Sequence, residues 1–249
     1  MLKILVLPNF GRSFQAVRPE AECFISFARL GHDVTIMLNP DNAYLEAYEK
    51  SQAKVVIRKN ARKYSWVVAS QIRRFIRENE IDIVYATDSG GIPNAAFGCI
   101  GTKAKMIAYR GTTRGMYRRD ITNYLCTLHP RIDGYICLSK AVKANVESKV
   151  RTAIRPNLEL IYKGHDTAWY TEPPTALEDV GASPEAFNLL FLGSNRKSKG
   201  QEYMLGAMSL LKDIEDINLI MVGDGFDGEP YQGQIRNTGV AERIIQPGF

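Results

Sequence analysis

The segment NLLFLGSNRKSKGQEYMLGAM (188–208) holds the densest concentration of chemistry in the chain. An apolar run ends at Gly193; Arg196, Lys197 and Lys199 follow, and Gly200 stands where a helical pattern begins. In open α/β sheets, ligands bind outside the carboxyl ends of the strands. A loop there that carries cations ahead of a helix N-terminus suits a diphosphate. Backbone N–H groups and the helix dipole favour an anion, Lys199 supplies a point charge, and Arg196 can grip two oxygens at once. Spacing alone leaves a solvated basic loop as an equal alternative, since charged strand–helix loops are common. Asp88, in Asp88-Ser89-Gly90-Gly91 after the apolar run IDIVYAT, also falls at a strand's carboxyl end. It is placed either to bind a ligand hydroxyl or to cap the helix that follows.

The elements that must position these residues alternate. Short apolar runs at 2–8, 33–38, 54–57, 81–87, 105–110 and 133–139 read as strands, and 15–30 and 62–79 read as helices. Gly31 stands at a helix C-cap, and Trp66, Val67, Ala69, Ile72, Phe75 and Ile76 recur at helical spacing. Near-continuous apolar strands alternating with helices imply a parallel sheet covered on both faces. The stretch 166–186 breaks the rhythm with Pro173-Pro174 and clustered acidic residues, a linker composition. The pattern then restarts with strands at 188–193, 217–223 and 243–249 and a helix from about Gly200 to Lys212. The expectation is a first body over 1–168, a linker over 169–186, and a partial second body over 187–249. With only three strands in that body, the chain is expected to be a fragment of a longer protein.

Composition narrows the class. The chain has 249 residues, 45% apolar and 24% charged, which excludes a disordered or low-complexity chain. Its apolar runs fall short of a membrane span, and MLKILVLPNFGRS does not read as a signal peptide. Cys23, Cys99, Cys126 and Cys137 form no CxxC pair, which fits a reducing cytoplasm. His32, His129 and His165 are scattered, and no cluster has metal-ligand spacing, so no metal site is expected. The absence of GxSxG and GxxxxGK[ST] weighs against hydrolase and P-loop readings. The net charge of +5 conceals a split: residues 1–168 hold 26 Lys and Arg against 15 Asp and Glu, and the remainder hold 6 against 12. The basic front also raises an anionic acceptor or membrane surface; the helix at 62–79 fits either a lipid-facing surface or ordinary packing on its own sheet. Nucleic acid is not expected, since no binding motif accompanies the charge.

Five pieces in order resemble glycosyltransferase family 4, which has the GT-B fold of two Rossmann-like, doubly wound α/β domains. They are GHDVTIM (31–37), DGYICLSKAVKANV (133–146), IYKGHDTAWY (161–170), Gly193 with Arg196-x-x-Lys199-Gly200, and LIMVGDG (219–225). The resemblance implies that Arg196 and Lys199 hold a sugar nucleotide's diphosphate, with Gly193, Gly200, Gly223 and Gly225 shaping the donor loops. Arg110-Gly111 stands where the family often has His-Gly, so Arg110 is expected to face donor phosphates or an anionic acceptor as a third catalytic residue. Gly11 and Arg12 fall in the first strand–helix loop, which the family places near donor and acceptor; with Asp88 and Gly111 they complete the expected cleft. Ser194 departs from the Gly-Arg form of the donor loop, and no Glu-x7-Glu pair is present.

What the resemblance implies is a retaining, metal-independent transfer of a sugar from a nucleotide-sugar co-substrate to a hydroxyl acceptor, with no cofactor. A cell-surface glycan or lipid-linked acceptor is expected, in the cytoplasm or on the inner face of the membrane. Two alternatives stand beside it: a non-catalytic GT-B fragment that binds an acceptor or protein partner, and a UDP-sugar epimerase of the same fold.

Overall fold

A computed structural model describes residues 1–8, 14–58, 63–88 and 90–248. The chain divides into two compact units, Met1–Asp166 and Thr167–Phe249.

The first unit runs β1 (Lys3–Leu7), α1 (Phe14–Arg29), β2 (Asp33–Leu38), α2 (Leu45–Glu49), β3 (Lys54–Ile57), α3 (Trp66–Glu78), β4 (Ile83–Ala86), α4 (Gly91–Gly98), β5 (Lys105–Arg110), α5 (Ile121–Tyr124), β6 (Gly134–Cys137), α6 (Lys140–Glu147) and β7 (Leu158–Leu160). The seven strands form one sheet, in the order β3-β2-β1-β4-β5-β6-β7, and every pairing is parallel. The direction of winding reverses between β1 and β4, the place where such sheets open a crevice. The strands alternate between two cores, as their period of two requires. Leu5, Leu7, Val84 and Met106 join Ile72 and Ile92 on one face. Ile4, Val6, Ile36 and Tyr85 meet Phe24 and Tyr48 on the other. Each fully buried side chain of this size contributes about 1.5–3 kcal/mol.

Local chemistry sets the helix ends. Gly31, at φ +89°, closes α1, with its own N–H bonded to Ala28 and that of His32 to Phe27. The Ser65 hydroxyl accepts from the Val68 N–H at 3.4 Å and starts α3, so residues 63–65 of the expected helix lie ahead of it. Ser139 does the same for α6 at Val142. In α3, Val68, Ala69, Ile72 and Ile76 face the core, while Trp66 and Val67, expected on that face, point to solvent. Helix α4 packs so closely on α3 that a Cβ on Gly98 would stand 2.6 Å from Ile72 Cγ2.

The second unit opens with 3-10 turns at Thr167–Trp169 and Glu178–Val180. It continues as β8 (Phe187–Leu192), α7 (Gln201–Leu210), β9 (Ile217–Val222), α8 (Glu229–Arg236) and β10 (Ile244–Gly248). Its parallel sheet has the order β10-β9-β8. Leu205 and Met208 of α7 and Tyr231 and Ile235 of α8 cover one face against Leu219, Met221 and Ile244. On β8, Leu190 and Leu192 are 65% and 73% exposed.

Candidate functional site

In the second unit the chemistry gathers at the carboxyl ends of β8 and β9. The Gly193 N–H donates to the Val222 carbonyl at 3.0 Å, and the Asn195 N–H donates to the Asp224 carbonyl at 2.9 Å. Asn195 Nδ2 donates to the Gly225 carbonyl at 2.7 Å, while its Oδ1 accepts from Gln201 Nε2 at 2.9 Å. One asparagine thus stitches both loops to the start of α7. Gly223, at φ +148°, allows the approach: a Cβ there would lie 2.2 Å from the Gly193 carbonyl oxygen. A 3-10 turn, Lys197–Lys199, leads to Gly200 at φ +82°, and no side chain caps α7. Its first N–H groups therefore point outward with their partial positive charge. Arg196 and Lys199 are exposed, and the Lys199 chain passes over Gly193, its Cδ 3.8 Å from where a Cβ would stand. The structure thus brings Gly193, Arg196, Lys199, Gly200, Gly223 and Gly225 together on adjoining loops. Sequence reasoning passed over Asn195 and Gln201, because a lone amide side chain in a polar loop carries no signal of its own.

In the first unit, Asp88 and Arg110 line one pocket of about 290 Å³ at the carboxyl ends of β4 and β5, together with Thr87, Tyr117, Asp120 and Asn123. Asp88 caps α4: its Oδ1 accepts from the Gly90 N–H at 3.0 Å and from the Gly91 N–H. Gly91 has no room for a side chain, since a Cβ would meet that oxygen at 2.9 Å. Arg110 is the last residue of β5 and is 9% exposed, so it is not a solvent-loop arginine. Its Nη2 donates to the carbonyls of Thr112 at 3.3 Å and Arg114 at 2.6 Å, which shapes the loop beginning at Gly111. Burial pulls its guanidinium below the usual arginine range. Arg118 and Arg119 occupy the turn ahead of α5. His129 is buried and accepts from the Arg131 N–H at 3.1 Å. Gly11 and Arg12 lie outside the described residues, as does Ser89.

A further buried group had no signal in the sequence. Glu20, on α1, has a side chain only 11% exposed and pairs with Lys163 at 3.3 Å. The Lys163 ammonium also sits 5.1 Å from the Tyr109 ring centroid. Burial raises the Glu20 carboxyl, Lys163 opposes that, and Asp88 adds to it. Lys163 follows β7, so the end of the unit is tied back across β5 to α1. Among the described residues no three His, Cys, Asp or Glu side chains form a metal-binding group, and no helix is long and apolar enough to cross a membrane.

A parallel sheet wound in both directions from its first strand, followed by a second α/β unit with a cationic strand–helix loop, defines the GT-B class of fold. The family model described as Glycosyltransferase Family 4 matches residues 25–169, more than half of the chain. The chain belongs to that family and is a glycosyltransferase by membership. No curated protein matches it. Solved structures do. A glycosyltransferase from Rickettsia africae superposes with a TM-score of 0.75 at 17% identity, over 99% of this chain and 68% of that one. Anabaena Alr3699/HepE in complex with UDP-glucose gives 0.76 at 19% identity, over 100% and 69%. The lipopolysaccharide outer core galactosyltransferase WaaB gives 0.62 at 15% identity, over 100% and 68%. This chain therefore spans about two thirds of the length of these proteins.

Proposed function

We propose that the protein transfers a sugar from a nucleotide-sugar donor to a hydroxyl acceptor with retention at the anomeric carbon, in the assembly of a cell-surface polysaccharide or lipopolysaccharide. The observation that carries this reading is the stitched loop pair of the second unit, where Arg196, Lys199 and the uncapped start of α7 offer positive charge beside Gly193 and Gly223. Negative charge accumulates on the leaving diphosphate as the glycosidic bond breaks. Fixed cations then stabilise the transition state more than the ground state. Two side-chain cations and a helix N-terminus supply the neutralisation a metal would otherwise provide, so the proposed reaction is metal-independent. The solved complex of HepE with UDP-glucose supports the donor class. The pocket holding Asp88 and Arg110 is proposed for the acceptor, and the basic first unit suits an anionic or lipid-linked one at the inner face of the membrane.

Titration with UDP tests the donor reading. We expect saturable binding that Lys199→Ala weakens at least tenfold, and a turnover lowered by roughly 10²-fold, the scale of losing one electrostatic stabiliser. No UDP binding at millimolar concentration would overturn the donor reading and leave a non-catalytic binding protein.

A further inference from the structure

Besides the pocket that holds Asp88 and Arg110, the first unit contains a cavity of about 260 Å³. It lies between the turn leading into β6 and residues 149–154, which follow α6. Leu128, Ile132, Val150 and Ile154 give it apolar walls, the first three of them buried. Tyr124 and Tyr135 add aromatic surface, and the Tyr135 hydroxyl is already committed to the Thr127 carbonyl at 2.7 Å. His129 adds a ring without a charge, since burial pulls its imidazole below the usual range.

The charge of the lining is one-sided. Lys149 and Arg151 belong to it, and none of the lining residues is Asp or Glu. Lys149 Nζ donates to Asn145 Oδ1 at 2.9 Å, and Arg151 Nη2 donates to the Pro130 carbonyl at 2.7 Å. These partners are neutral, and each cation has further donors, so the lining is complementary to an anion. An apolar cavity of about 150 Å³ already takes benzene; this one has room for a ring and a short charged arm.

The cavity shares a wall with the pocket of Asp88 and Arg110. Within residues 122–129, Thr122, Asn123, Cys126 and Thr127 line that pocket, whereas Tyr124, Leu128 and His129 line this cavity. Two ties cross the wall. Tyr135 holds the Thr127 carbonyl, while Thr127 Oγ1 donates to the Gly115 carbonyl at 3.3 Å and to Asn123 Oδ1 at 3.0 Å. The Lys149 ammonium lies 5.5 Å from the centroid of the Tyr117 ring. Gly115 and Tyr117 sit in the loop that follows Arg110, and both line its pocket.

We propose that this cavity is an effector site for a small aromatic carboxylate, with the ring among the apolar walls and the carboxylate on Lys149 and Arg151. An occupant steadies the shared wall and, through Thr127 and Lys149, the loop 111–120. The coupling is reciprocal: a ligand on one side of the wall changes affinity on the other by the same factor. Calling that other side the acceptor pocket rests on the reading above; the site and its hold on the loop do not.

The test uses the full chain with phenylacetate as probe and phenylacetamide and acetate as controls. Calorimetry should show saturable binding of phenylacetate, binding of phenylacetamide about fivefold or more weaker, and no heat from acetate at the same concentrations. Lys149→Gln combined with Arg151→Gln should remove the preference for the carboxylate. Ile154→Trp, which fills the cavity, should abolish binding of both aromatic ligands. Circular dichroism confirms that each variant is folded. Phenylacetate should also slow tryptic cleavage at Arg114, Arg118 and Arg119 by about fivefold or more and leave cleavage at Lys212, in the second unit, unchanged; all four residues are exposed. No saturable binding of phenylacetate overturns the proposal. So does equal affinity for phenylacetamide, binding that survives Ile154→Trp, or binding that leaves cleavage within residues 111–120 at its original rate. None of these measurements uses an acceptor or UDP, so their failure refutes the effector site alone.

Discussion

Replacing Gly223 by alanine tests the claim that two loops must nearly touch at the candidate donor site. The added Cβ would stand 2.2 Å from the Gly193 carbonyl oxygen and 2.7 Å from its carbon, both backbone atoms that no rotamer change can move. The residue also sits at φ +148°, a conformation an alanine adopts only under strain. Left-handed strain costs about 1–2 kcal/mol, and forced overlap in a packed region about 1–3 kcal/mol, so the sum is roughly 2–5 kcal/mol. For a domain of 60–100 residues each kcal/mol lowers Tm by about 4–8 °C, which predicts a fall of about 10 °C or more in calorimetry of the second unit's transition. Gly239→Ala separates the two costs, since Gly239 has φ +75° with nothing within 4 Å of its added Cβ. It should lose only the strain contribution and keep UDP binding, whereas Gly223→Ala should lose UDP binding as the loops part. Equal Tm values for the two variants, or unchanged UDP affinity in Gly223→Ala, would refute the close-approach argument.

Two further outcomes are expected. Arg110→Ala strips a buried donor from the carbonyls of Thr112 and Arg114 and should cost about 1–3 kcal/mol. Limited proteolysis should then cut faster within residues 111–120, and an unchanged cleavage rate would count against Arg110 as the organiser of that loop. Glu20 has a native pKa raised above its ordinary 4.5, so the native state holds its proton more tightly than the unfolded chain. Its contribution to stability is fully present below about pH 4.5 and is lost as pH rises through the raised native value. Urea unfolding should show that decline in the wild type and a flatter profile in Glu20→Gln; parallel profiles would rule out Glu20 as its source.

The strands were legible where an apolar run stood out between polar neighbours, as at 33–38, 54–57 and 105–110, whose limits match β2, β3 and β5 even though β3 is a largely exposed edge strand. Strand β7 was missed because Leu158–Leu160 is three residues long, edges the sheet, and carries the exposed Glu159. Helix α4 was legible only as a helix that Asp88 could cap, without its extent, for the opposite reason. Its GIPNAAFG sequence is poor in helix formers, but most of it is buried and Gly98 lets α3 approach, so tertiary packing overrides local propensity. Trp66 and Val67 recur at helical spacing but fall outside the buried stripe of Val68, Ala69, Ile72 and Ile76, so they point to solvent although Val68 and Ala69 share their turn. At the site, cations and glycines were visible as residue types. What each holds was not: the resemblance has Arg110 facing donor phosphates or an anionic acceptor, and in the fold its guanidinium is buried and binds the carbonyls of Thr112 and Arg114. Glu20 and Lys163 lie near opposite ends of the unit, and nothing local links them.

That last pairing has a consequence for how the first unit is made. Its opening helix is pinned by a lysine that follows its final strand. Contacts between distant parts of a chain form late, because loop closure must precede them. During synthesis, Glu20 leaves the ribosome long before Lys163 exists, so its carboxylate must stay solvated while the intervening strands assemble. The first unit therefore completes this buried ion pair only after residues 158–163 emerge, and a pause in translation before that point would leave α1 without its tie to the far end of the unit.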